Sequence, residues 1–325
     1  MIFTARQLME KSIEHQAKGF FVSIDLKKAY DSVPRGCLWQ VLGRAGVPEK
    51  LINIIRSFHD PMSASAQFNN ILSDPFSIGN GFRQGCSMAP VLFNIFMWAV
   101  MTQWQHRVRR VDGVGFELRS AYSSDLYRKP RRDDQHHCLT DSRFADDSCL
   151  FATTRSGAGA ALCCLHEVAS GFGLTISATK TQFVVVGPGI TPTDRAPLQL
   201  GQAEVECVPH FKYLGSVVDS GCRSSRDIAA RIAQASRACG ALRRSIFSNL
   251  HLLMHTKRCV FNACVLSLLL YGSECWTPLQ HDLPKLSTFS MRCIRSILGV
   301  SRSRMWDEHI TNEEMLVRWG DSETI

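Results

Sequence analysis

Along this chain, short unbroken apolar runs alternate with segments in which apolar residues recur every three or four positions, a pattern that predicts a mixture of strands and helices. Residues 4–18 have helical spacing, with Leu8 and Ile13 placed to face a core while Glu10, Lys11 and Glu14 face water. The run Phe20-Phe21-Val22-Ser23-Ile24-Asp25-Leu26 reads as a strand ending in a carboxylate. Pro34 interrupts the chain after it, and residues 37–45 and 49–59 read as helices separated by Gly46-Val47-Pro48. Alternation over 63–68, followed by 75–78, predicts a hairpin with Asn69-Asn70 at or near its turn. Residues 79–85 form a loop that opens a long apolar helix over 90–105, and the polar stretch 120–140 reads as an exposed loop. A second hairpin is expected around Phe144-Ala145-Asp146-Asp147, followed by a helix over 159–171 and a strand over 182–186. Beyond Gly215 the spacing predicts helices over 228–250, 256–271 and 283–298, then a short mixed tail over 306–320. Trp306 and Trp319 in that tail are expected to pack on the helices rather than stack on bases.

Asp146 and Asp147 are the first residues to suggest chemistry. Adjacent carboxylates repel, and a divalent cation beside them would neutralise the charge; an ordinary polar turn is the other reading, since Asp favours turns. Asp25, at the end of a distant strand, adds a carboxylate from another element, and a hard cation draws its oxygens from several elements. Two Mg²⁺ ions there, with Mn²⁺ as a substitute, could activate a 3′-hydroxyl and stabilise a leaving pyrophosphate in an in-line phosphoryl transfer.

The same residues carry a resemblance. Ile24-Asp25-Leu26-Lys27-Lys28-Ala29-Tyr30-Asp31-Ser32-Val33-Pro34-Arg35 resembles the first palm motif of reverse transcriptases of non-LTR (LINE-type) retrotransposons. Gly81-Phe82-Arg83-Gln84-Gly85-Cys86-Ser87-Met88-Ala89-Pro90-Val91-Leu92-Phe93-Asn94 is similar to the second motif, and Phe144-Ala145-Asp146-Asp147 to the metal-binding third. Gly173-Leu174-Thr175-Ile176-Ser177-Ala178-Thr179-Lys180-Thr181 resembles the fourth, and Phe211-Lys212-Tyr213-Leu214-Gly215 the fifth, the primer-grip hairpin. Leu270-Tyr271-Gly272-Ser273-Glu274-Cys275-Trp276 and Ile294-Arg295-Ser296-Ile297-Leu298-Gly299-Val300 resemble segments located after the palm in this family.

The resemblance implies an α+β right-hand polymerase palm, an antiparallel sheet with helices on one face, with partial fingers over residues 1–220. A helical thumb and C-terminal extension would occupy 221–325. It implies RNA-directed DNA polymerase activity of a transposable element, with RNA template, DNA primer and dNTPs as partners. Asp25, Asp146 and Asp147 would be the catalytic, metal-holding carboxylates, and Tyr213, Leu214 and Gly215 the primer grip. Tyr30 matches the position where a ring excludes a 2′-hydroxyl, although core packing is the plainer reading of that residue. Gln84 offers a donor and an acceptor near the incoming nucleotide, and Gly81 and Gly85 permit close backbone approach, the other reading being a glycine-bounded helix entry. Lys180 would assist the leaving pyrophosphate by charge or proton, the other reading being an ordinary surface lysine. Ser177 stands where the family commonly has Asn. The chain begins 24 residues before Asp25, without the usual fingers or an endonuclease domain. It is therefore expected to be a truncated element copy, with a catalytically inactive nucleic-acid-binding remnant as the alternative function.

Composition modifies this picture at three points. The net charge of +8 favours a polyanionic partner. It is concentrated in residues 223–304, which hold thirteen Lys and Arg against three Asp and Glu and read as a nucleic-acid surface, the other reading being a solvated basic helix face. Within that span Arg292 and Arg295 are spaced one helical turn apart, so both could reach one backbone groove. Thirteen cysteines without a CxxC pair suggest reduced thiols in an intracellular protein, with nucleus or cytoplasm undecided, and His136-His137-Cys138 lacks the spacing of a zinc site. The uncharged run 259–273 is too short for a bilayer and reads as a buried helix, and residues 1–12 lack an apolar signal core. No membrane association is expected, and oligomeric state is left open.

Overall fold

In the computed structural model residues 1–83, 85–120 and 135–320 are described. The chain divides into two compact units, Phe3–Leu214 and Gly215–Ile325. The first runs α1 (Ile2–Glu14), β1 (Gly19–Ile24), α2 (Ala29–Ser32), α3 (Arg35–Arg44) and α4 (Glu49–Ser57). Short strands β2 (Ser63–Ala64), β3 (Gln67–Phe68), β4 (Ile71–Leu72) and β5 (Phe76–Ser77) lead to α5 (Ala89–Val108). Then come β6 (Phe116–Ser120), β7 (Gln135–Leu139), β8 (Asp141–Phe144), β9 (Asp147–Ala152) and α6 (Arg155–Gly171). The unit closes with β10 (Gln182–Val186), β11 (Leu198–Leu200), β12 (Ala203–Val205) and β13 (His210–Tyr213).

A four-stranded antiparallel sheet in the order β10-β1-β9-β8 organises this unit. Its central strand β1 is buried from Gly19 to Val22, which explains why Phe20-Phe21-Val22 is a continuous apolar run rather than an alternation. Phe20, Val22 and Ile24 share one face and join the core with Phe93, Phe96, Val100 and Trp104 of α5 and Ala161, Leu162 and Leu165 of α6. The Trp104 indole donates to the Ala161 carbonyl at 2.9 Å, so the bulkiest buried side chain of α5 also satisfies its polar atom. On the other face, Phe21 and Phe151 pack edge to face at 5.6 Å, and Phe21 stacks on Phe116 at 5.8 Å.

Several expectations shift here. In α1 the buried stripe is Ala5, Leu8, Met9 and Ser12, and Ile13 is exposed because it falls one position outside that stripe. α6 begins four residues earlier than its apolar pattern, where Thr154 caps it by accepting from the Gly157 amide. The 63–78 region forms a nested pair, β3 with β4 inside β2 with β5, with Asn69 and Asn70 at positive φ in the turn. Residues 116–120 and 135–139 pair as strands, so the edges of the expected 120–140 loop belong to a ribbon; residues 121–134 lie outside the described residues.

The second unit contains β14 (Ser216–Asp219), α7 (Ser225–Leu242), α8 (Met254–Phe261), α9 (Ser267–Leu269), α10 (Leu283–Leu298), α11 (Arg302–Asp307) and α12 (Asn312–Trp319). Its core joins Ile228 and Ala235 of α7, Phe261, Val265 and Leu269, and Phe289, Ile294 and Ile297 of α10. The expected helix over 228–250 ends in a π-helical turn at Arg243–Phe247, and that over 256–271 is interrupted by another at Asn262–Leu266. Only one face of this second segment is buried, since Cys259 and Cys264 are exposed. The tail is more ordered than its composition suggests. α12 opens on a full capping box between Thr311 and Glu314, and Trp319 packs edge to face on Phe261 at 5.4 Å. Trp306, by contrast, is 82% exposed and does not pack as expected. No helix among the described residues is long and apolar enough to cross a membrane.

Candidate active site

The site is built where β1 ends. Ile24 lies opposite Ser148, so the register carried one residue further brings Asp25 abreast of Asp147 at the start of β9. The β8–β9 hairpin turns through Ala145 and Asp146, with Phe144 paired to Asp147. Ala145 sits at φ 54°, a left-handed conformation that costs a non-glycine residue about 1–2 kcal/mol. Positive φ at the first central residue is what a two-residue hairpin turn asks for, and alanine stands here where glycine would adopt it without cost.

Asp25 has no backbone freedom left. Its amide donates to Thr181 Oγ1 at 3.3 Å and its carbonyl accepts from the Ser177 amide at 2.8 Å, so the 177–181 segment grips it from both sides. Its carboxylate is not so satisfied: Oδ1 is buried without a hydrogen-bond partner, and the Lys180 ammonium stands 3.5 Å away, an ion-pair distance. A buried acceptor facing only a flexible cation is a place where a second positive charge would be stabilised.

Electrostatics bring the third residue in. Burial raises the Asp147 carboxyl above its ordinary value, the charges of Asp146 and then Asp25 raise it further, and Lys212 opposes them. Tyr30 belongs to the same group, because burial and the charge of Asp146 both raise its phenol. Its ring stacks on Phe93 at 4.4 Å and meets Phe82 edge to face at 6.2 Å, so the half-buried Tyr30 is both packed and oriented. Tyr30, Asn94 and Trp98 share a cavity of about 790 Å³ with Arg143, Phe144 and Ala145 of the hairpin.

The other expected residues divide between contact with the site and support behind it. Gln84 lies outside the described residues. Gly85 has φ 79° with open space where a Cβ would stand, so conformation rather than crowding calls for glycine there. Gly81 is crowded, but by protein: a Cβ would lie 2.7 Å from the Asp31 backbone. Tyr213 is buried, its hydroxyl donating to the Ser142 carbonyl at 3.0 Å, so its ring braces the carboxylate hairpin from beneath instead of facing outward. Leu214 has φ 48°, and Gly215, the first residue of the second unit, has φ 83°.

Lys212, which faces out of β13 opposite the buried Phe211 and Tyr213, went unassigned in the sequence although the alternation of that strand marks it. Asp141 is a second such residue. Buried at the base of the hairpin, it accepts from Gln105 at 2.8 Å, Thr140 at 2.9 Å and Arg143 at 2.7 Å. Among the described residues no three Asp, Glu, His or Cys side chains already converge as a cation cage.

In the second unit the basic residues divide into two groups. Arg226 pairs with Asp219, Lys285 with Asp282 and Arg304 with Glu308, while Lys257 and Arg258 donate to the Phe247 and Trp319 carbonyls. Arg223, Arg237, Arg243, Arg244, Arg292 and Arg302 are exposed and make no ion pair with a carboxylate among the described residues. Arg292 lies over the Phe289 ring at 5.4 Å. Arg295 is partly buried and lies near both Arg302 and Arg292, and burial followed by those two charges lowers its pKa.

Residues 2–218 match the family described as Reverse transcriptase (RNA-dependent DNA polymerase). Two curated relatives are Pol polyproteins of R2 retrotransposable elements. That of Drosophila melanogaster is 22% identical over 71% of this chain and 21% of its own length. That of Nasonia vitripennis is 26% identical over 65% of this chain and 19% of its own length. The chain thus spans about a fifth of the length of the curated relatives it matches. Among solved structures, apo telomerase from Candida tropicalis aligns with 98% of this chain and 54% of its own, at 10% identity and a TM-score of 0.45.

Proposed function

We propose, from the premise that this chain belongs to the reverse transcriptase family, that its first unit is the palm of an RNA-directed DNA polymerase of a non-LTR retrotransposon. In this reading Asp25 and Asp146 hold the divalent ions and Asp147 supports them. The observation that carries it is the buried Oδ1 of Asp25, which has no hydrogen-bond donor and only the Lys180 ammonium 3.5 Å away, beside a hairpin whose Asp147 is held above its normal pKa by burial and two neighbouring carboxylates. The donor set fits Mg²⁺, which commonly takes one or two protein carboxylates and completes its shell with water and substrate phosphates, so a ready-made three-ligand cage is not needed. When bound, the ions supply Lewis acidity to the 3′-hydroxyl and to the leaving pyrophosphate.

The chain's own residues do the rest. Lys180 directs its ammonium into the site from the segment gripping Asp25, where it can neutralise or protonate the departing pyrophosphate once a nucleotide triphosphate is bound. Tyr30, fixed between Phe93 and Phe82, presents a rigid wall to the sugar and selects against a 2′-hydroxyl. Gln84 and Gly85 contact the nascent pair. Tyr213 fixes the hairpin height, so the primer grip acts through the backbone of Leu214 and Gly215 rather than through the tyrosine ring. The exposed arginines of the second unit contact nucleic-acid phosphates.

Primer extension on a poly-rA/oligo-dT duplex with Mg²⁺ or Mn²⁺, compared with Asp146→Asn, tests this reading. Extension abolished in the variant, with duplex binding retained, is expected. Extension surviving the substitution would remove the metal assignment. No extension by the unaltered chain, alongside salt-sensitive duplex binding, would leave a nucleic-acid-binding remnant.

A further inference from the structure

We propose that Arg35 is a positioning residue for the nucleotide-contacting loop, an inference that rests on the polymerase reading and extends it to a group outside the carboxylate cluster. Arg35 is 5% exposed, and its guanidinium ties residues 78–81 to the His59-Asp60 turn. Nε donates to the Gly81 carbonyl at 2.9 Å, and Nη2 to the Ile78 carbonyl at 2.8 Å and the Asn80 carbonyl at 3.3 Å. Nη1 donates to the His59 carbonyl and to Asp60 Oδ1, each at 2.6 Å. Four of the five acceptors are backbone carbonyls. Three of those belong to residues 78–81, the segment that leads directly into Gln84 and Gly85.

The loop is then pressed against the segment that bears Tyr30. The Gly81 amide donates to the Val33 carbonyl at 2.8 Å and the Phe82 amide to the Tyr30 carbonyl at 3.3 Å. Gly81 lies so close to Asp31 that no side chain could intervene. Arg35 therefore sets the height of Phe82, whose ring forms one wall against Tyr30. A planar fork with five donors can hold carbonyls on three sides at once. A lysine ammonium, with three donors on a flexible stem, cannot reproduce that arrangement while still carrying the charge.

The test compares Arg35→Lys and Arg35→Met with the unaltered chain by hydrogen exchange and by steady-state primer extension. Selective loss of protection at the Gly81 and Phe82 amides, with β1 and β9 amides unchanged, is expected in Arg35→Lys. With it should come about a tenfold rise in the dNTP KM, about a tenfold loss of discrimination against ribonucleotides, little change in kcat, and duplex affinity within about twofold. A uniform loss of protection, or lower stability with unchanged KM and sugar discrimination, would reduce Arg35 to a structural residue. If the unaltered chain does not extend primers, the polymerase reading fails separately, and exchange at Gly81 and Phe82 still decides whether Arg35 holds the loop. Unchanged protection there in both variants would overturn the proposal in either case.

Discussion

Replacing Asp227 by asparagine removes one charge from a buried knot in the second unit and leaves its partner stranded. Asp227 is 1% exposed and accepts from Ser216 Oγ at 2.8 Å, the Val217 amide at 2.9 Å and the Trp276 indole at 2.8 Å. Arg231, 4% exposed, holds Nε 3.7 Å from Asp227 Oδ1, donates to the Gly215 carbonyl and to Gln234, and lies 4.4 Å above the Tyr271 ring. Breaking a buried ion pair by removing one partner costs about 3–5 kcal/mol, because the remaining charge stays desolvated. Asparagine preserves the shape but turns an –NH₂ toward donors that need an acceptor, whereas Arg231 keeps its carbonyl and its ring. The lower end, about 3 kcal/mol, is therefore expected. Urea unfolding followed by tryptophan fluorescence would measure it, in a cycle of Asp227→Asn, Arg231→Met and the double variant. The double variant should be much less destabilised than the two singles added together, since removing both charges leaves neither unpaired. A single-variant loss below about 1 kcal/mol, or simple additivity, would refute the account of the knot.

Asp147→Asn should raise the thermal midpoint of the metal-free protein, because burial and the charges of Asp146 and Asp25 make its carboxylate costly in the folded state. Linkage gives the sign: a carboxyl raised on folding makes the protein lose stability as pH rises through its titration, so the gain should appear above that range and vanish below it. The Asp194 carboxyl is held at about 2 by hydrogen bonds from Lys18 and from the Thr191 amide and hydroxyl. Its contribution should be fully present above the ordinary Asp range near pH 4 and disappear as pH falls toward 2. The midpoint difference between the unaltered chain and Asp194→Asn, followed against pH, should close over that window. Trp319→Ala, at a buried ring against Phe261, should cost about 3 kcal/mol in chemical denaturation, whereas Trp306→Ala at an exposed ring should stay within about 0.5 kcal/mol.

The strands carrying the carboxylates were legible because apolar runs and breaks are local signals. Phe20 to Ile24, Ser148 to Ala152 and Gln182 to Val186 announce strands, and the positions of Asp25 and Asp146 at their ends come directly from those runs. The order β10-β1-β9-β8 was not in that pattern, since a period of two says which residues share a face but nothing about which strand lies alongside. The five-motif resemblance implied an antiparallel palm sheet with helices on one face but did not give the strand order. Where local chemistry was weak, the prediction slipped. The polar edges of residues 116–120 and 135–139 concealed a ribbon, and π-helical turns inside apolar segments cannot be told from continuous helix by spacing. α12 did have a readable signal, Thr311 followed three residues on by Glu314.

Arg35 and Asp227 show the other limit. Each looks like an ordinary charge on a helix, at positions where an ion pair to solvent or to the next turn is the default. Their partners lie 24 to 46 residues away for Arg35 and at Ser216, Val217 and Trp276 for Asp227. No window of sequence contains such a set. Trp276 makes the point concretely. Its segment, Tyr271 to Trp276, was recognisable only as resembling something located after the palm, and the structure supplies a physical reason for two of its residues. Tyr271 gives a face to a buried guanidinium, and Trp276 gives a donor to the carboxylate that neutralises it. That guanidinium in turn holds the Gly215 carbonyl, at the end of the fifth motif. A charge that costs several kcal/mol to bury unpaired constrains every neighbour to satisfy it, so aromatic donors and small turn residues far apart in sequence become mutually dependent. Trp276→Phe, which keeps a ring against the helical core but returns no donor to Asp227, should therefore cost about 1–3 kcal/mol in urea unfolding, and a loss within about 0.5 kcal/mol would show that the indole donor is dispensable.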